Sequence, residues 1–178
     1  MGLLEMLGMG GEARQERRTE GDTRTVRKIV RRLESLDPDR ARYLASFAYI
    51  LGRVAMADRE VTADEDAEME HIVADVGGLG GELAVLVVQI AKSQAMLFGG
   101  TEDYLVTREF ARVATLDQKR QLMSCLFAVA AADGVVAVVE ENEIARIATE
   151  LKLPRGEMIA AKEPYAAKLE TILNKPGS

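Results

Sequence analysis

Two pairs of carboxylates stand at a spacing that could do chemistry. Asp58 and Glu65 form the first pair; Asp133 and Glu140 repeat it after a shift of 75 positions. Four such acids brought together would offer all-oxygen ligands, the donor set that suits Mg²⁺, Ca²⁺ or Mn²⁺. Their positions are costly in themselves. Each Asp ends a predicted helix, where the macrodipole disfavours a carboxylate by about 0.3–1 kcal/mol. Glu65 and Glu140 fall near the apolar stripe of the helix each one opens, as do Glu68 and Glu143, so part of their charge must be paired or hydrogen-bonded. A local clamp answers this need more simply than a cation does. The Asp would accept loop amides, and the Glu would close a capping box such as Thr62-x-x-Glu65. The clamp suits the first copy better, because Ala137 replaces the capping Thr in the second. An EF-hand is excluded: counting from Asp58, position 6 is Ala63 rather than Gly and position 12 is Met69 rather than Glu.

The positioning elements are helices. Asp37-Pro38 supplies an N-cap with Pro behind it, and the helix runs to about Ala57. Thr62 opens the next, which Gly77-Gly78 stops near Val76. Further helices are predicted over about 82–98, from Thr101 to about Ala114, from Thr115-x-x-Gln118 to Ala132, and over 139–151, with two short ones near Pro154 and Pro164. No segment alternates as a strand does, so the fold class is all-α. The 75-residue shift also lays Leu51, Val54, Ala55, Ala57, Val61, Glu68 and Ile72 on Leu126, Val129, Ala130, Ala132, Val136, Glu143 and Ile147. A pseudo-twofold pair of helix–loop–helix units is therefore expected, with repeat one over about 38–98 and repeat two over about 115–174. The expected organisation is a flexible arm over 1–23, poor in apolar periodicity, followed by a single helical domain over 24–178.

An added N-terminal amphipathic helix starts at Arg24. Val26, Ile29, Val30 and Leu33 mark its apolar stripe, and Arg24, Arg27, Lys28, Arg31 and Arg32 its basic back. This face could meet an anionic membrane surface. A docked helix with a solvated back is the simpler reading, because acidic residues surround the patch. Residues 1–40 carry nine Lys/Arg against eight Asp/Glu in a chain whose net charge is −6. That balance argues against a nucleic-acid partner. One Cys and one His in 178 residues exclude a Cys-based zinc site and a multi-His cage. Cys125 reads as a core thiol and His71 as a surface residue. The run Gly77–Gly81 lacks the spacing of a phosphate loop and reads as a connector. Met1–Glu5 does not form a signal peptide, so a reduced, cytoplasmic protein is expected, with a membrane-peripheral placement as the alternative. No nucleophile stands beside a recognisable base, and no catalytic residue is assigned.

Ala132-Asp133-Gly134-Val135-Val136 with Glu140, and more loosely Ala57-Asp58-Arg59-Glu60-Val61 with Glu65, resemble the repeated motif of the TerB-like family of tellurite-resistance proteins. The resemblance covers about residues 40–160. It implies an all-helical, non-enzymatic bacterial stress-response module, cytoplasmic, with a protein partner in a membrane-linked complex and a role in metal sensing. It places the metal-binding candidates on Asp58, Glu65, Asp133 and Glu140. Arg59 departs from the Gly of the motif, and the Arg-rich N-terminal part lies outside it. The other readings are a peripheral membrane protein using the basic helix and a metal-dependent carboxylate enzyme.

Overall fold

A computed structural model describes residues 13–55, 63–97 and 103–174. In chain order these form α1 (Ala13–Glu34), α2 (Pro38–Ala55), α3 (Ala63–Asp75), α4 (Gly81–Leu97), α5 (Asp103–Val113), α6 (Leu116–Ala130), α7 (Val138–Glu150), α8 (Arg155–Lys162), a 3-10 turn (Glu163–Lys168) and α9 (Glu170–Leu173). No strand occurs among the described residues; one isolated bridge pairs Val136 with Leu169. The chain is all-α. The bounds of α3, moved by 75 positions, are those of α7, and α2 and α6 end at the equivalent Ala55 and Ala130.

The caps explain several of these bounds. Asp37 Oδ1 accepts the Asp39 amide at 3.0 Å and starts α2. Thr115 and Gln118 close a full capping box on α6, with Gln118 Oε1 accepting the Thr115 amide at 2.8 Å and Thr115 Oγ1 accepting the Gln118 amide at 3.2 Å.

α2 lies at the centre and packs on α4, α5, α6 and α7. Leu44, Phe47, Ile50, Leu51 and Val54 give it an inward face with no exposure, the spacing a helix buried along one broad stripe requires. Its approach to α4 is close at Gly52, where an added Cβ would stand 3.1 Å from the Ala91 carbonyl oxygen. α6 adds Leu122, Leu126 and Phe127, and α7 adds Ile144 and Ile147, to one contiguous core running from Ile29 to Leu169. Few aromatics are needed: Phe110 of α5 stacks on Tyr43 with centroids 5.4 Å apart.

α1 differs from expectation at both its start and its stripe. It begins at Ala13, well before Arg24 and inside the segment expected to be an arm. The Ala, Arg, Gln and Glu of that segment are strong helix formers, and propensity extends the helix where apolar periodicity is missing. Ile29 is buried and Leu33 packs against the core, but Val30 is 45% exposed. The docked line is therefore the narrow i, i+4, i+7 row of Ile29, Leu33 and Leu36.

Candidate functional site

The second acidic corner is built by local bonds and one distant segment. α6 ends at Ala130, so Asp133 lies in the turn beyond it rather than on the helix. Its Oδ1 accepts the Val135 amide at 3.1 Å, which offsets its position near the negative helix end. Gly134 adopts φ +98°, a left-handed conformation that a Cβ disfavours. This is the physical reason for Gly in the Ala-Asp-Gly run. Glu140 Oε2 then accepts the Ala137 amide at 2.9 Å. Half of a capping box is present, since Ala137 has no oxygen to return the bond. The tail fixes the rest. Val136 donates to the Lys168 carbonyl at 2.8 Å and accepts from the Glu170 amide at 3.0 Å. Glu170 Oε2 also accepts the Val138 amide at 2.8 Å. Carboxylates thus satisfy the first amides of α7, the positive end of its dipole.

Three of the four acids selected from spacing come to one place. Glu65, Asp133 and Glu140 line a cleft of about 230 Å³ together with Glu68, floored by Ala55, Met69, Val129 and Ala130. Asp58 and Thr62 lie outside the described residues. Among the described residues no three acids or other metal-binding side chains stand close enough to hold a metal ion together. Glu68 is exposed rather than drawn to the packed side.

The matching position in the other copy has another fate. Glu143 is drawn inward to Arg53 of α2, a residue that sequence reasoning passed over. Arg53 Nε donates to Glu143 Oε1 at 2.8 Å, and its Nη1 donates to Glu150 Oε2 at 2.7 Å and to Thr107 Oγ1 at 2.8 Å. The side chains of Arg53, Glu143 and Glu150 are 5%, 17% and 13% exposed. Burial alone would lower the Arg53 pKa, but the hydrogen bonds and charges of Glu150 and Glu143 hold it above its ordinary value. A signal was available. Arg53 falls between the buried Ile50 and Val54, and Glu143 and Glu150 lie seven positions apart on one side of α7. The neighbouring acids are tied as well: Asp66 pairs with Lys92 and Glu141 with Lys162, each a lysine of the helix that follows.

The remaining candidates are settled by burial. Cys125 is fully buried, and burial pushes its thiol up to about 12. His71 is exposed and lies 3.1 Å from Asp75. Among the described residues no helix is long and apolar enough to cross a membrane.

Against known families, the model described as tellurite resistance protein TerB matches residues 43–163, which include both acidic corners. The chain belongs to the TerB family. The match runs from the first buried turn of α2 through α8, so α1 and Glu170 of this TerB-family chain lie outside it. A search of curated proteins and a search of solved structures each found no match. The family resemblance expected from the two acidic motifs is shown, and so is the all-helical fold.

Proposed function

We propose that this TerB-family chain is a non-enzymatic binding module, a stress-response adaptor, and that the acidic cleft takes a divalent cation. The observation that carries the reading is that Glu65, Asp133 and Glu140, from different parts of the chain, line one cleft. Nothing in their separation along the chain requires it. An ion held directly needs a further ligand, because the described acids do not supply three at one point. The pseudo-twofold arrangement belongs to the same proposal. It is supported by the coincident bounds of α3 and α7, and by α2 packing on α7 while α6 packs on α3. Hard oxygen donors favour Mg²⁺, Ca²⁺ or Mn²⁺. Calorimetric titration is expected to show saturable binding of at least one of these ions, lost in Asp58→Ala and Asp133→Ala. The absence of both heat and thermal shift with all three rejects the cation. A turnover that disappears in Asp133→Asn would bring the enzymatic reading forward instead.

A second reading rests on α1. Arg24, Arg27, Lys28, Arg31 and Arg32 are all exposed, and of these only Arg32 has an acid partner among the described residues, Glu82 at 2.8 Å. Such a basic back fits a peripheral contact with anionic lipid. Liposome flotation decides this reading: equal recovery after deletion of residues 1–40 would remove it.

A further inference from the structure

A second, larger concavity of about 510 Å³ lies between α5, the first turn of α6 and the end of α7. It shares no lining residue with the acidic cleft. On α5, Tyr104, Leu105, Arg108 and Arg112 follow one another along its wall, while Lys119 and Lys152 close the opposite side. Its two acids are already engaged: Glu109 pairs with Arg112 at 2.6 Å, and Glu150 pairs with Arg53 at 2.7 Å. Arg108, Lys119 and Lys152 have no acid partner among the described residues. The groove is therefore positive in a chain of net charge −6.

Two placements make these side chains unexpected on structural grounds alone. Lys119 sits in the first turn of α6, the positive end of the dipole, where an anion is favoured. Lys152 holds φ 56°, the one non-glycine residue with positive φ among those described; glycine is the residue that takes this conformation at least cost. Beside them Tyr104 and Leu105 are 57% and 60% exposed. The wall from Tyr104 to Arg112 extends about 12 Å along the helix, too far for one phosphate to span.

We propose that this groove docks an acidic segment of a partner protein, with Arg108, Lys119 and Lys152 receiving carboxylates and Tyr104 and Leu105 receiving an adjacent apolar side chain. Charge complementarity and the paired apolar rim select that occupant. The proposal does not depend on a cation in the other cleft.

The probe is a short fluorescein-labelled peptide of alternating Glu and Leu, read by anisotropy against the full chain. Saturable binding is expected, weakening as salt is raised. Arg108→Ala and Lys152→Gly should each weaken it about tenfold. Lys152→Gly keeps the left-handed backbone available, so its melting temperature should equal or exceed that of the parent. A loss of affinity without a loss of stability separates docking from a folding role. No binding, or equal binding by both variants, overturns the proposal. So does competition by inorganic phosphate at the same residues, or vesicle binding of phosphatidylserine that both variants abolish.

Discussion

Glu143 and Glu68 stand 75 positions apart in the chain, at matching places on α7 and α3, and end in opposite surroundings. Glu143 is bound to a buried arginine together with Glu150. Glu68 is exposed on the wall of an open acidic cleft. Their following partners differ too, since Asp75, the counterpart of Glu150, meets His71 at the surface. One residue type underlies the contrast: position 53 is Arg, and the matching position 128 is a buried Ala. A cation supplied from within converts acids into structure. Where position 128 holds Ala, Glu68 stays exposed on the cleft wall.

The largest expected effect comes from breaking the closed side. Arg53→Ala leaves Glu143 and Glu150 mostly buried without their guanidinium, and should cost about 3 kcal/mol, near the range for removing one partner of a buried pair. Urea unfolding checks this; a change near zero would show that the network is dispensable and would erase the contrast between the sides. On the open side the expected losses are smaller, because Asp133 and Glu140 bond neutral backbone amides of an exposed turn. Gly134→Ala forces a Cβ into φ +98° and should cost about 1–2 kcal/mol.

Several helix starts were legible in the residues before the fold was known. Thr115 and Gln118 mark a helix start in local code, and Asp37-Pro38 does so for α2, because caps depend on neighbours a few positions away. The repeated spacing singled out Glu65 and Glu140 but left open whether they share one cleft or each clamp their own loop. Arg53 was legible only as a charge set between the buried Ile50 and Val54; its partners were not, since its acids lie 90 and 97 positions ahead and periodicity shows which face is buried, not what meets it. The tail was equally hidden: Val136 pairs with residues 168–170 through backbone atoms, which leave no side-chain pattern. The early start of α1 followed from propensity rather than stripe, and the groove beside α5 joins three helix ends that no single segment announces.

A further effect concerns the core that both sides share. Burial raises the Cys125 thiol from its ordinary 9.0 to about 12. The folded state then keeps a proton that the unfolded chain loses first, so stability is full below pH 9.0 and falls as pH rises toward about 12. Iodoacetamide should label the native protein far more slowly at pH 8 than the unfolded one. Equal rates would place the thiol within reach of solvent.

Hydrogen exchange, followed segment by segment as Mg²⁺, Ca²⁺ or Mn²⁺ is added, tests the two-sided account most directly. Added protection is expected in the first turn of α3 and over residues 133–140, and none over residues 143–150, where Arg53 already holds the acids. Protection confined to 143–150, or no change anywhere at saturating ion, would contradict it.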